Sequence, residues 1–390
     1  MALRIGSHEV VIIGGGPVGL FLGLSLQKTG VDCCILERRR SVNPHSRAIG
    51  IHPPVLEYLR DLGLVDRFLQ QGVTVRKGIA FGHRVRLGEL SFASCRLPFN
   101  FVLSIPQQMT EMLLEAGFKG AAGQIIRGST FDRIELTGDR IRLEFHEDDA
   151  TECVQSIDCR YLVGCDGKNS TVRTAAGILF NGAPYPDTYL MGDFPDETSF
   201  GSDAAVFLHP EGVVESFPLP AGRRRWVART NRYVSDPEPT KLCGIIRDRT
   251  RIDVNPSGST MVSAFGVQHY MAEQVVRDRV LLCGDAAHVI SPIGGQGMNL
   301  GFMDAWDLAG TLQHDIRRKT ESNVFKVFDQ RIQRRTRVAM RRAEFNMRLG
   351  RSSGNTAVKT FVIQNALRLK PTSHAMAHLF TMRNLSSGWI

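Results

Sequence analysis

The sequence predicts an α/β protein: a dinucleotide-binding sheet domain assembled from separated stretches of chain, with a second sheet inserted between them. Three observations lead there. A short apolar run, a glycine cluster and a helical pattern open the chain as a βαβ unit. Long strand-like stretches punctuated by turn signals follow. Near residue 283 another buried-strand pattern ends in glycine and an acidic residue, and a glycine loop then leads into a helix.

Val10-Val11-Ile12-Ile13 is the apolar run of a buried parallel strand, and Gly14 to Gly19 breaks it. Leu20, Leu24 and Leu26 mark a helix that ends near Gly30, a favourable stop residue. Cys33 to Leu36 is the second buried strand, with Glu37 at its end. A helical segment is expected from about Pro53 to Gln71, then strand-like sequence over 75–103. Pro106 opens a helix running to Gly117, since proline is well tolerated at a first helical position. Residues 124–163 read as two or three strands ending in Tyr161-Leu162-Val163. The pattern stays strand-like over 178–275, with turns at Pro210-Glu211-Gly212 and Pro220-Ala221-Gly222. Val280 to Cys283 is a strand, a long helix starts near Met298, and everything after about Asn323 reads as helical.

A chain of 390 residues with 43% apolar content has room for two domains and a sizeable core. The net charge of +9 would suit nucleic acid, an anionic membrane or an acidic small molecule. The densest positive run is Arg331, Arg334, Arg335, Arg337, Arg341 and Arg342; no aromatic interleaving or reading motif accompanies it, so a solvated helix face is expected and nucleic acid is not. Peripheral contact of this face with an anionic membrane stays open. Eight cysteines without a CxxC pair point to reduced, buried thiols and to no metal site. No secretory signal and no apolar stretch of roughly 18–20 residues is present, so a soluble, cytoplasmic protein, monomer or homodimer, is expected.

Three motifs bear chemistry. Gly14-Gly15-Gly16-Pro17-Val18-Gly19 is a GxGxxG between strand and helix. Gly14 permits the tight turn, Gly16 lets the backbone approach a pyrophosphate, and Gly19 lets the helix pack on the strand. Glu37 lies 18 residues beyond Gly19, where an acidic side chain binds a ribose diol. The second motif is Gly164-Cys165-Asp166-Gly167, continuing to Arg173; alone, Asp166-Gly167 is an ordinary turn. The third is Gly284-Asp285-Ala286-Ala287-His288, followed by Pro292 and Gly294-Gly295-Gln296-Gly297-Met298-Asn299. There a carboxylate suited to holding a polyol is followed by helix amides suited to an anion.

In this order and at these separations, the three motifs closely resemble the flavoprotein aromatic hydroxylases of the para-hydroxybenzoate hydroxylase type. Ser46-Arg47-Ala48, Gln107 and Glu111, and Gly301, Asp304, Ala305 and Leu308 extend the resemblance, which covers about residues 8–340. It implies a glutathione-reductase-like FAD-binding domain (1–74, 104–177 and 276–340), an inserted mixed β-sheet substrate domain (75–103 and 178–275) and a C-terminal helical segment (341–390). It also implies that Glu37, with Arg38 beside it, binds the adenosine ribose. Arg47 and Gln107 would contact phosphates or ribityl chain, and Gly284-Asp285 would hold the ribityl or pyrophosphate region. The Gly294–Met298 backbone, with Asn299, would lie at the flavin pyrimidine edge. Pro292 and Gly295 would line the reacting face, and Asp166 and Arg173 would serve both FAD and NAD(P)H. The implied activity is hydroxylation of an aromatic substrate (phenolic, quinone-like or polyketide) with NAD(P)H and O2 through a flavin C4a-hydroperoxide. The choice between NADH and NADPH stays open.

Several residues have two readings. His288 is either a base or, as the resemblance favours, a structural residue near the flavin. Phe207, Phe217 and Trp226 either line a substrate pocket or belong to a core. Val358, Phe361, Val362 and Leu367 lie on a terminal helix face that would cap the substrate opening. Isoprenoid reductases and flavin-dependent halogenases share the FAD domain. The isolated Trp226, Trp306 and Trp389 argue against the halogenase WxWxIP signature, while a reductase of an unsaturated substrate or a non-catalytic flavin-binding protein stays open.

Overall fold

The computed structural model describes residues 3–42, 48–83, 85–147, 154–318, 323–351 and 356–386. Its first sheet is built on five parallel strands, ordered Val280–Leu282, Val154–Gly164, Leu3–Ile13, Cys33–Glu37 and Gln124–Arg127. These strands are apolar on both faces because helices cover both. Val10, Val11, Ile12, Cys34 and Ile35 are fully buried, packed against Leu20, Phe21 and Leu24 of the helix Pro17–Lys28. The antiparallel strands Ser129–Thr137 and Arg140–Glu147 extend the early part of Val154–Gly164. Residues 124–164 therefore hold four strands, where periodicity suggested two or three.

A second eight-stranded sheet combines Lys77–Phe81 and Arg86–Ser91 with Phe180–Pro195, Ala204–Phe207, Val214–Leu219, Arg223–Thr230 and Met261–Ala272. Its last strand, His288–Val289, comes from the third motif and ties the two sheets together. A third, small sheet pairs Val102–Ser104 with Gly50–Ile51 and Val73–Val75.

Two expectations about helices are corrected. The stretch from Pro53 to Gln71 is two helices, Pro53–Asp61 and Val65–Gln71, separated at Gly63, whose φ of 77° ends the first. The region 178–275 contains the helix Pro239–Thr250, with Pro239 in its first turn. Leu242, Cys243 and Ile246 of that helix pack on one face of the second sheet. Four apolar residues in a short segment that ends in charged ones left little periodicity to read, and the sheet beneath them decides the matter. The long helices Gln296–Arg318 and Val324–Gly350 complete the first domain, and Thr356–Arg368 packs on Arg86–Ser91.

Among the described residues no helix is long and apolar enough to cross a membrane, and no three His, Cys, Asp or Glu residues cluster as metal ligands. Seven described cysteines are free; all but the half-buried Cys165 are buried.

Candidate active site

The three motifs follow the carboxyl ends of three adjacent parallel strands. Ile13 is in register with Gly164, and Gly164 with Leu282. Cys165 N donates to Ile13 O at 2.8 Å and Cys283 N to Gly164 O at 3.0 Å, so the loops leave side by side. Ligands of open α/β sheets bind at such an edge.

The glycines are there for space. Gly14 has φ 108°, and a Cβ on it would lie 2.4 Å from Cys165 O. A Cβ on Gly19 would lie 1.9 Å from Gly14 O. Gly16 differs: the atom nearest its Cβ position is Arg39 Nη2, 3.9 Å away, so backbone faces open space. Pro17 starts the helix, no side chain caps it, and the amides of Val18 and Gly19 begin its first turn. The Val18 side chain packs against both Gly284 and Gly301, which brings the third motif onto the glycine turn.

Glu37 is buried and accepts from Gly15 N at 2.6 Å, Arg39 N at 2.8 Å and Arg39 Nε at 3.0 Å. Burial alone would raise its pKa, but the bonds and charge of Arg39 outweigh it and hold the carboxyl below its ordinary value. Arg38 is exposed; it is Arg39 that turns toward the glycines and, at 3.9 Å, toward buried Glu111. Gln107 Nε2 donates to Glu111 at 2.9 Å, extending this polar rim. Burial pushes the Glu111 carboxyl up, and Gln107 and Arg39 pull the other way. Arg47, with Ser46, lies outside the described residues.

Asp166 accepts from Thr171 N, Thr171 Oγ1 and Val172 N through one oxygen, while its other oxygen is buried without a partner. Arg173 is buried and donates to Ala286 O and Lys168 O, both at 2.9 Å, with its guanidinium 3.7 Å from the centroid of Phe180. It joins the second motif to the third. Asp285 opens to the cleft, yet the protein packed around it pushes its carboxyl up against the pull of His288.

His288 is buried and hydrogen-bonds Asp304; Arg335 reaches Asp304 at 3.2 Å and Asp307 at 2.6 Å. These contacts tie His288 into a network with the two carboxylates and the arginine. Gly294 and Gly295, φ 89° and 66°, turn the loop after Pro292, and Pro292 and Gly295 are exposed. Asn299 holds that loop from beneath: its Nδ2 donates to Gly295 O at 2.9 Å and Gly50 O at 2.8 Å, and its Oδ1 accepts from His52 N at 2.8 Å. Its side chain is thus spent on protein. Gly297 is in the first turn of the helix, and Met298 packs on the first domain's core. Burial lowers the His52 pKa to about 4, so a neutral imidazole sits near the Gly295 backbone.

The three aromatic candidates separate by strand parity. Phe207 and Trp226 are buried with Leu242 and Ile246 in the core under the helix Pro239–Thr250, not in the cleft. Phe217 lies on the other face, with Tyr189, Met191, Val227 and Ile293. Glu215 shares that face and went unremarked in the sequence, although alternation along Val214-Glu215-Ser216-Phe217 pairs it with Phe217. Phe361 and Val362 are exposed; of the terminal apolar set, Leu367 packs on the second sheet. A separate hollow of about 550 Å³, lined by Trp306, His314, Val327 and Arg331, contains none of the motif residues.

The cradle fits FAD: an open glycine edge at uncapped helix amides for the diphosphate, Glu37 for a ribose, and the Asp285 carboxylate and the unpartnered Asp166 oxygen for hydroxyl donors.

Comparison with known proteins agrees. The FAD binding domain family model matches residues 7–344. Over 322 residues the chain is 32% identical to the uncharacterized aromatic compound monooxygenase YhjG of Bacillus subtilis, covering 80% of this chain and 62% of that protein. It is 31% identical over 315 residues to a rifampicin monooxygenase of Streptomyces venezuelae, covering 79% and 64%. The chain therefore spans less than two thirds of the length of these relatives. The structure of p-nitrophenol 4-monooxygenase from Pseudomonas putida aligns over 100% of both chains with a TM-score of 0.89; at 20% identity this is a likeness of fold.

Proposed function

Given that the chain belongs to the FAD binding domain family, the flavoprotein aromatic hydroxylases of the para-hydroxybenzoate hydroxylase type, we propose that it is a monooxygenase that hydroxylates an aromatic substrate with NAD(P)H and O2. The observation that supports this best is the meeting of three motifs at one sheet edge, beside a largely apolar sheet face that Ile293 of the glycine loop packs against.

The Val18 and Gly19 amides and the open Gly16 backbone would hold the diphosphate, Glu37 the adenosine ribose, and Asp285 the ribityl hydroxyls. Gln107 and Arg39 flank this path. FAD, bound there, would supply hydride acceptance and oxygen activation, chemistry that no protein side chain offers. The chain's own part is position and dryness. Asn299 fixes the Gly294–Gly295 backbone, and the start of the helix Gln296–Arg318 lends it a positive field. Half-buried Phe217, backed by buried Tyr189, Met191 and Val227, would offer an apolar surface to an aromatic ring.

The test is aerobic incubation of the flavin-loaded protein with NAD(P)H and a panel of phenols, quinones and polycyclic aromatics, with products followed by mass. Gain of one oxygen together with cofactor consumption establishes the activity. Gain of hydrogen without oxygen means a reductase. Binding without cofactor consumption means a non-catalytic flavoprotein.

A further inference from the structure

We propose that Glu215 receives the hydroxyl of the aromatic substrate and takes its proton, so that the site selects a neutral phenol and turns it into an electron-rich phenolate. This rests on the hydroxylase reading of the same cleft.

The register places Glu215. In the second sheet it pairs with Val206 on one side and Val227 on the other, and Val227 pairs with Met191. These four residues share a face with Phe217, Tyr189 and Phe265, the last two stacked at 5.5 Å, and Ile293 of the glycine loop packs against that face. Glu215 is thus an acidic side chain on an apolar surface beside the loop expected at the flavin.

Its isolation is the second observation. No hydrogen bond or ion pair engages its carboxylate among the described residues. The cations of the neighbouring strand are committed elsewhere: Arg225 forks onto Asp193 at 2.6 and 2.7 Å, and Arg229 shares Asp187 with Arg351. The strands Ala204–Phe207, Val73–Val75 and Val102–Ser104, which pack against this one, bring no titratable side chain. On the same face Tyr189 feels Glu215: its buried hydroxyl has no partner, and its pKa is driven up by burial and then by Glu215. Glu215 is half-buried, and a carboxylate held among apolar side chains without a protein partner is a kind of group that concentrates where chemistry needs it. Burial raises the Glu215 carboxyl to about 7, so it accepts a proton near neutral pH.

The proton transfer balances by itself. The phenol O–H bond breaks, a carboxyl O–H bond forms on Glu215, and the negative charge moves onto the ring oxygen. No electrons leave or enter. An aromatic carboxylate in the same place would meet an anion, with the nearby arginines already neutralised.

The experiment uses flavin-loaded wild type and Glu215→Gln, with 2-naphthol and 2-naphthoate as a size-matched pair. Binding is read from perturbation of the flavin spectrum, and turnover of a substrate phenol is followed across pH 5.5–9. In the wild type, naphthol binds at least ~10-fold tighter than naphthoate, and naphthol binding and kcat/KM both fall as pH drops through about 7. Glu215→Gln keeps its flavin, loses the acidic limb of both profiles and drops kcat/KM by roughly 100-fold or more. Glu215→Asp, which retains a base, keeps the limb. Equal affinity for the two naphthalenes, no naphthol binding at any pH, or an acidic limb surviving in Glu215→Gln would each overturn the proposal. Oxygen insertion with a surviving limb sinks this assignment alone. A Glu215-dependent limb in naphthol binding without oxygen insertion leaves the phenol site standing and removes the hydroxylase.

Discussion

Gly14 and Glu37 show how single residues make the cradle. Gly14 holds a left-handed φ and has Cys165 O where a side chain would begin, so Gly14→Ala demands that two strands part. Its expected cost is roughly 1–3 kcal/mol of backbone strain. The purified variant should be colourless or nearly so, with a lowered melting temperature, read by flavin absorbance per protein and thermal unfolding. Glu37 accepts three hydrogen bonds besides any from a ribose. Removing its charge should weaken FAD binding by roughly 10- to 150-fold, the equivalent of about 1.5–3 kcal/mol for bonds to a charged group. Titration of apoprotein Glu37→Gln with FAD measures this, and an unchanged Kd would remove Glu37 from the site.

At the scale of elements, parity and helix covering decide which side chains meet substrate. The helix Pro239–Thr250 claims Phe207 and Trp226 for a core. Ile246→Ala should therefore cost about 2–5 kcal/mol of stability and leave flavin content unchanged. Chemical denaturation beside a flavin assay separates the two effects. Another element junction is electrostatic. Asp187, fully buried, binds Arg229 and, at 2.7 Å, Arg351 at the end of the helix Val324–Gly350. Burial would raise its pKa, but the two arginines outweigh it and hold the carboxyl below its usual value. The contribution is then fully present above the unfolded pKa of about 3.9 and is lost as pH falls through the lower folded value. Melting curves of wild type and Asp187→Asn should differ at neutral pH and converge below about pH 3.9.

Across the whole molecule, the third motif is anchored to the arginine-rich helix. Buried His288, Asp304 and Arg335 and half-buried Asp307 form one chain of contacts. The run expected to be a solvated face is solvated at Arg331, Arg334, Arg337 and Arg341, while Arg335 faces inward. Arg335→Met would leave buried Asp304 without its arginine, while Asp307 keeps Arg331 at 3.7 Å, and a loss of about 3–5 kcal/mol follows. Because Asp304 also holds His288, flavin should dissociate at lower denaturant than global unfolding requires. Coincident transitions for flavin release and unfolding in this variant would argue against that coupling.

The βαβ opening, both later strand ends and the steric need for glycine at positions 14 and 19 were legible in the residues alone. Short-range sterics and apolar runs act within a dozen residues and leave a local pattern. The split at Gly63 and the helix Pro239–Thr250 were not, because their apolar positions are few and gain meaning only against a partner surface. Likewise, nothing local tells Arg38 from Arg39 or Arg335 from its neighbours. Each choice depends on where Glu37 or Asp304 comes to lie. Alternation along one strand pairs Glu215 with Phe217, but only the register, which sets Ser216 opposite Trp226, puts Trp226 on the other face. Only the tertiary structure tells the faces apart: the helix Pro239–Thr250 covers one, and Ile293 of the glycine loop packs with Met347 on the other.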